Sequence, residues 1–134
     1  ICLYFEQLYP QINLLGETPL EKAQIDMWHR QVELYFFGQV GMCFQHTTGY
    51  FKDRMTPVKE YGEVAGKNAL GFLKVLEKRL AESEFIAGDR FTIVDITAMC
   101  AVDFARVVKI KISDDQPNLQ RWYAAVSSRP SAKA

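Results

Sequence analysis

The chain has 134 residues and a mass of 15.4 kDa, and 49% of its residues are hydrophobic, which suffices for one buried core. Basic and acidic residues number 16 each, so the formal net charge is zero. That balance argues against a nucleic-acid partner and against binding to an anionic membrane surface.

The opening segment carries apolar residues at helical spacing, namely Ile1, Tyr4, Phe5 and Leu8. No capping residue precedes them and the first residue is not Met, so we expect the chain to begin inside a helix of a longer protein. Turn-forming residues dominate the stretch that follows. These features predict a helix remnant over residues 1–9, a linker over 10–18 and a helical domain over 19–134.

A long helix is predicted to begin at Pro19. Thr18 is suited to the N-cap, Pro19 to the first helical position, and Glu21 supplies the acidic partner of a capping box. The helix should continue to about His46, where the following Thr-Thr-Gly sequence ends it. Its apolar face carries Ile25, Trp28, Val32, Tyr35 or Phe36, Val40 and Phe44.

Two glycines, Gly38 and Gly41, interrupt this predicted helix. Each of them costs about 1 kcal/mol of helix stability relative to Ala. Such a cost requires a reason, and either a kink in the helix or a ligand close to its backbone would supply one.

The next helix is predicted to open at Pro57. Its charged residues fall on one side of the helical pattern, which favours a solvated face there. Its inward positions are Val58, Tyr61, Ala65, Ala69, Phe72, Leu73, Leu76 and Leu80.

A second capping box is predicted at Thr92-Ile93-Val94-Asp95. The Thr92 hydroxyl can accept from the backbone N–H three residues on, while the Asp95 carboxylate reaches back to the Thr92 N–H. The stretch from Ile93 to Val108 is apolar nearly all round, so this helix should be enclosed by other helices. Replacing Asp95 with Ala should cost about 1 to 3 kcal/mol of stability.

A final helix is predicted from about Pro117, and Ser128-Arg129-Pro130-Ser131 predicts a break after it. Its buried residues should be Leu119, Trp122, Tyr123 and Val126. The segments together predict an all-α fold, a bundle of about five helices around the buried central helix.

No catalytic centre and no metal site is visible in the sequence. The two histidines, His29 and His46, are not spaced for zinc with each other or with a cysteine. The three cysteines, Cys2, Cys43 and Cys100, are odd in number and lie among apolar residues, which favours buried free thiols. Such thiols are typical of a reducing compartment, so the cytoplasm is the expected location.

Motifs at four places along the chain resemble those of the cytosolic glutathione transferases. Gly88-x-x-x-Thr92-x-x-Asp95 before a buried helix, with Trp122 and Arg129-Pro130 downstream, is similar to their helical C-terminal domain. Two further motifs resemble a bacterial and fungal branch of that family, namely Thr18-Pro19-Leu20-Glu21-Lys22 and Phe44-x-His46.

This resemblance implies a two-part enzyme. Residues 1–9 would be the end of the last helix of a thioredoxin-like domain, and residues 19–134 a C-terminal helical domain truncated at its end. The intact protein would be a homodimer that conjugates the glutathione thiolate to hydrophobic electrophiles without a metal. Most glutathione-binding residues would lie in the thioredoxin-like domain, so this chain alone is expected to be inactive. The alternative is a non-catalytic helical scaffold of the same fold.

The family positions also imply a substrate cleft. Its residues would be Phe37, Gly38, Gly41, Met42 and Gln45 on the long helix, and Phe104 on the buried helix. The alternative for each of them is ordinary core packing at helical spacing. Thr92 and Asp95 are interpreted as structural, because the family uses this capping box to fix the buried helix.

His46 is the candidate catalytic residue. Some members of the related branch activate the thiol through a water held by Ser and His on the long helix, but Gly41 or Met42 stands near the expected Ser here. His46, helped by Gln45, then remains as the candidate, and the alternative is a favourable charge near a helix C-terminus. Arg30 stands where several classes place an acidic residue, and because a guanidinium has no acceptor we interpret it as a surface or interface residue.

Overall fold

The computed structural model of the chain describes residues 1–133. These residues form helices and no β-strand, which confirms the predicted all-α fold. The helices are α1 (Cys2–Leu8), α2 (Pro19–Gln31), α3 (Gly38–Thr47), α4 (Lys59–Glu82), α5 (Ile93–Ala105) and α6 (Pro117–Ser127). A π-helical segment, Val32–Phe37, joins α2 to α3, and 3-10 turns follow α5 and α6 at Arg106–Val108 and Pro130–Lys133. None of the helices within residues 1–133 combines the length and the apolar content that a bilayer crossing requires.

The predicted long helix is present as a continuous helical backbone from Pro19 to Thr47. Thr18 Oγ1 accepts the Glu21 N–H at 3.2 Å, as the capping prediction requires. The Glu21 carboxylate, however, accepts the Glu17 N–H at 2.8 Å, one residue earlier than predicted. Gly49 follows the helix with a φ of 70°, a conformation that glycine adopts without strain.

The π-helical segment is a stretch of wider helical turn within the long helix. Its backbone bonds join residues five apart, so the Gly38 N–H donates to the Glu33 carbonyl. Val32, Phe36 and Val40, which are spaced four residues apart, are all fully buried. The choice between Tyr35 and Phe36 is thereby settled, because Phe36 is in the core and Tyr35 is exposed.

The core of the bundle lies between the long helix, α4, α5 and α6. Its largest fully buried side chains include Phe36, Leu73, Leu76, Leu80, Ile86, Leu119 and Trp122. The prediction that Val58 and Tyr61 point inward is wrong, since both side chains are 48% exposed. Val58 is the N-cap of α4 and not a helical residue, and the position facing α3 is taken by Gly62 instead of Tyr61.

The predicted central helix is buried or half-buried along most of its surface. Val94, Ala98, Ala101, Val102 and Ala105 lie in the core, as expected from the apolar run. A narrow strip that contains Cys100 and Val107 is exposed, so the prediction of full enclosure is wrong for that strip. The apolar run hid this asymmetry because small and apolar residues occupy both sides of α5.

The three thiols differ in burial, which corrects the prediction that all are buried. Cys43 is buried between α3 and α4, whereas Cys2 and Cys100 are exposed. The Cys43 prediction is therefore right, and the other two are wrong because neighbouring apolar residues do not by themselves fix the side of a helix.

We expect two thiols of the native chain to react rapidly with a water-soluble thiol reagent, and Cys43 to react only at the rate of unfolding. Mass spectrometry of the labelled peptides measures this directly. A Cys43→Ala variant should keep the same rapid labelling stoichiometry. Rapid labelling of Cys43 in native buffer would contradict the packing of α3 on α4.

The segment before the bundle is held by a network around Arg90. Its guanidinium donates to Glu21 Oε1 at 2.6 Å, to Asn13 Oδ1 at 3.0 Å, and to the Asn13 carbonyl. The Glu17 N–H and the Arg90 charge both lower the pKa of the Glu21 carboxyl. Residues 13–17 are therefore fixed against the start of α2, while α1 has no buried residue. The domain boundaries predicted at residues 9 and 18 stay predictions.

Candidate functional site

The capping box at the start of α5 is present and is the centre of a larger network. Asp95 Oδ2 accepts the Thr92 N–H at 2.9 Å and the Thr92 hydroxyl at 3.2 Å, while Thr92 Oγ1 accepts the Val94 N–H at 3.3 Å. Asp95 Oδ1 also accepts the Ile86 N–H at 3.1 Å and the Trp122 indole N–H at 2.8 Å. Burial raises the pKa of the Asp95 carboxyl, and these donors oppose the rise. The carboxylate thus joins α5, α6 and the loop before α5.

Two predicted cleft residues, Phe37 and Phe104, meet between the long helix and α5. Their ring centroids lie 6.2 Å apart at 89°, an edge-to-face arrangement. Phe44 extends the same surface, with its ring 5.3 Å from Phe104 at 60°. We refer to Phe37, Phe44 and Phe104 as the aromatic wall. Phe37 is 41% exposed, so the wall presents ring surface to solvent.

Two further aromatic residues enlarge this surface, and the sequence predictions missed both. Phe51 lies edge-on to Phe44 at 6.0 Å, and Tyr50 lies 5.5 Å from the same ring. They follow Gly49 directly, and the turn that this glycine permits folds them back over the end of α3. The sequence did contain a signal for them, because an aromatic pair directly after a predicted helix end can fold back onto that helix.

The remaining predicted cleft residues occupy α3. Gly41 falls one helical turn from Phe37 and from Phe44, and a Cβ built at Gly41 meets nothing within 4 Å. Gln45 follows Gly41 by four residues and therefore lies on the same side, while Met42 is rotated away from it. Gly41 thus leaves open space beside the aromatic wall, which we refer to as the cleft.

His46 lies on a different side of α3 from the aromatic wall. Its Nδ1 accepts the Val58 N–H at 3.0 Å, which satisfies a backbone donor at the start of α4. Its ring lies edge-on to Tyr61 with centroids 5.0 Å apart. Nε2 is the ring nitrogen left for other chemistry, and that nitrogen carries the proton when Nδ1 accepts.

A separate polar group lies on α2. His29 Nε2 is 2.9 Å from Thr97 Oγ1 of α5, and Arg30 pairs with Asp26 at 3.5 Å and with Glu33 at 2.8 Å. Asp26, His29 and Arg30 line a cavity of about 870 Å³ between α1, the linker and α2. None of the predicted cleft residues lines that cavity, so it is distinct from the aromatic wall.

Comparison with known proteins identifies what this arrangement is similar to. The family model described as glutathione S-transferase, C-terminal domain, matches residues 41–130. Glutathione S-transferase 2 of Saccharomyces cerevisiae is 32% identical over 135 residues, covering 99% of this chain and 58% of that protein. The crystal structure of a class Gtt2 glutathione S-transferase from Vibrio parahaemolyticus superimposes with a TM-score of 0.87 at 35% identity, over 99% of this chain and 63% of that one. Gtt2 from Saccharomyces cerevisiae gives 0.85 at 33% identity, over 90% and 59%. The chain therefore spans about three fifths of the length of these relatives.

Proposed function

The chain belongs to the glutathione S-transferase family, whose C-terminal domain it matches, and from that membership we propose that the protein conjugates glutathione to hydrophobic electrophiles. The aromatic wall is the observation that carries the proposal, because it offers exposed ring surface beside an open cleft. Glutathione itself binds, in this proposal, to a part of the protein outside residues 1–134.

The wall contributes to the reaction by holding the electrophile. Ring surfaces bind an apolar substrate and exclude water from it, which places the electrophilic carbon next to the glutathione sulfur. The thiolate then forms the sulfur–carbon bond while the bond from carbon to the leaving group breaks, and the thiol proton is released to solvent. The rate increases because the two reactants are held close together, so no residue of this chain has to form a covalent intermediate.

For His46 the geometry supports a positioning role. Its Nδ1 holds the first turn of α4 against the end of α3, and its contacts with Tyr61 keep it away from the wall. Thiol activation by His46 stays a prediction, and only the Nε2 side of the ring is available for it. A His46→Gln variant of the full-length protein separates the two roles, because activation by His46 predicts a changed pH–rate profile.

The family also supports a homodimer located in the cytoplasm as part of the proposal. Several large apolar side chains on the outer faces of the long helix and α4 are exposed, among them Met27, Leu34, Tyr61 and Val64. Such a surface is of the kind that associating proteins bury. The scaffold alternative has no observation of its own in this chain.

The test of function uses the full-length protein, glutathione and chlorodinitrobenzene. We expect chloride release that requires glutathione, and retention of the protein on immobilised glutathione. Neither activity nor retention would indicate a non-catalytic module of the same fold.

A Gly41→Leu substitution should close the cleft without loss of stability. A side chain at this position has space, and Leu favours the helix by about 1 kcal/mol over Gly. We expect the KM for chlorodinitrobenzene to rise about tenfold, and the KM for glutathione to stay unchanged. Steady-state kinetics of the full-length protein measure both.

The matched control for this prediction is Gly71→Leu. Gly71 is an exposed residue within α4 and likewise has no atom near its missing side chain. Its substitution should give the same gain in helix stability and leave both KM values unchanged. An unchanged KM in Gly41→Leu would place the electrophile elsewhere.

A further inference from the structure

The π-helical segment Val32–Phe37 lies directly before the cleft. π-helical turns are rare, occur mostly as single turns within α-helices, and are found frequently at functional sites. In this chain the segment ends at Phe37, the most N-terminal residue of the aromatic wall. Its position therefore links an unusual backbone to the proposed binding surface.

Gly38 is the C-cap residue of this turn. Its N–H donates to the carbonyl of Glu33, five residues back, whereas an α-helix would use the carbonyl of Leu34. A Cβ at Gly38 would lie 3.1 Å from that same Glu33 oxygen, so Ala would press on the acceptor of the bond.

Two consecutive rings of the turn pack on different partners. Phe36 is fully buried and stacks on Phe72 of α4 at 6.5 Å and 21°, while Phe37 is turned edge-on to Phe104 of α5. A change of one residue in the helical register rotates the following helix by about 100°. An α-helical register would therefore move Phe37 and Phe44 relative to Phe104, and would also disturb the buried Val40.

We propose that the π-helical turn capped by Gly38 positions Phe37 against Phe104 and thereby makes the site selective for planar aromatic electrophiles over aliphatic ones. The ligand class rests on the proposed function, since the wall is taken to bind the electrophile. Three rings joined by edge-to-face contacts match a flat aromatic ligand better than a small aliphatic one. Gly38 is in this respect a positioning residue that acts through Phe37.

The first test uses this chain alone. In the wild type, NMR should detect scalar coupling across the hydrogen bond from the Gly38 N–H to the Glu33 carbonyl, and a nuclear Overhauser effect between the rings of Phe37 and Phe104. Dinitrobenzene is the probe for the wall, and its affinity is read from shifts of the ring signals. Gly38→Ala should weaken the ring contact and lower that affinity roughly twofold to tenfold, the factor that one lost aromatic contact represents. Gly71→Ala, the control, should change neither.

The second test measures selectivity in the full-length protein. Gly38→Ala should raise the KM for chlorodinitrobenzene roughly twofold to tenfold, while kcat, the KM for iodoethane and the KM for glutathione stay unchanged. A merely structural role would instead lower the active fraction and reduce the rates with both electrophiles equally. Phe37→Leu, which keeps the backbone bonds, should reproduce the loss of selectivity.

The outcomes separate the inference from the proposed function. Absence of the coupling in the wild type, an unchanged ring contact in Gly38→Ala, or unchanged selectivity in Phe37→Leu would overturn the inference. If Gly38→Ala does not fold, the inference is decided by the scalar coupling in the wild type and by the selectivity of Phe37→Leu. If the full-length protein conjugates neither electrophile, the proposed function fails, and the dinitrobenzene measurements on this chain still decide whether the turn positions the wall.

Discussion

Replacement of Asp95 by Ala should lower the free energy of unfolding by about 3 to 5 kcal/mol. The carboxylate is fully buried and accepts bonds from the Ile86 N–H, the Thr92 N–H and the Trp122 indole N–H. Its removal leaves these buried donors unpaired, and each costs about 1 to 3 kcal/mol before the structure relaxes. The loss exceeds the 1 to 3 kcal/mol expected from the cap alone. Urea unfolding followed by circular dichroism measures it.

Asp103→Ala is the matched control on the same helix. Asp103 is exposed and accepts from Tyr123 and Arg106 at the surface, so its loss should cost less than about 1 kcal/mol. A Trp122→Phe variant keeps an aromatic ring but removes the indole donor, and its effect should be less than additive with Asp95→Ala. Equal losses for the two aspartates would contradict the role of Asp95 as the centre of the network.

The same carboxyl makes stability depend on pH. Since burial raises the pKa of Asp95, the folded chain keeps its proton to a higher pH than the unfolded chain does. This contribution to stability is full below the ordinary Asp pKa of about 4 and is lost as the pH rises through the folded pKa. The deficit of an Asp95→Asn variant against wild type should therefore shrink as the pH rises from about 4 towards 7. A deficit that grows with pH would mean that the hydrogen-bond donors outweigh burial.

Gly62→Ala should destabilise the bundle by about 1 to 3 kcal/mol, although Ala is the better helix former. A Cβ at Gly62 would lie 2.7 Å from Thr47 Cγ2 and 2.8 Å from His46 Cβ, so the end of α3 would have to move away from α4. His46 Cβ is attached directly to the backbone, and the Thr47 side chain is held by the bond from its hydroxyl to the Cys43 carbonyl. The movement would also stretch the bond from the Val58 N–H to His46, which adds to the loss.

Two other glycines of α4 make this prediction a graded one. Gly66 faces Cys43 Sγ at 3.1 Å and should tolerate Ala with a smaller loss. Gly71 faces open space, so Gly71→Ala should raise stability by about 0.5 to 1 kcal/mol. Thermal unfolding of the three variants should rank them in that order. Destabilisation by Gly71→Ala as large as that by Gly62→Ala would mean that close helix approach is not the cause.

The helices of this fold could be predicted from the sequence where residues close together in the chain determine them. The caps at Thr18 and Thr92 depend on residues within four positions, and both are present. The apolar spacing also located the core residues of the long helix, α4 and α6, because burial follows the helical period. The exceptions were the backbone partner of Glu21 and the inward positions Val58 and Tyr61.

Predictions that depended on distant partners were incomplete. Trp122 donates to Asp95 across 27 positions, and nothing near either residue in the sequence indicates the bond. The π-helical turn leaves no apolar pattern distinct from that of an α-helix, so Gly38 signalled only that something there was unusual. The exposure of Cys100 depends on which side of α5 other helices cover, and that is a property of the assembled bundle.

The network at Asp95 has a consequence for how the chain folds during synthesis. The carboxylate receives its Trp122 donor only when α6 has emerged from the ribosome, because that donor lies 27 residues further along. A nascent chain that ends before Trp122 would have to bury this carboxyl with the donors of Ile86 and Thr92 alone, which weakens the docking of α5. We therefore expect α5 to dock fully only after α6 is made.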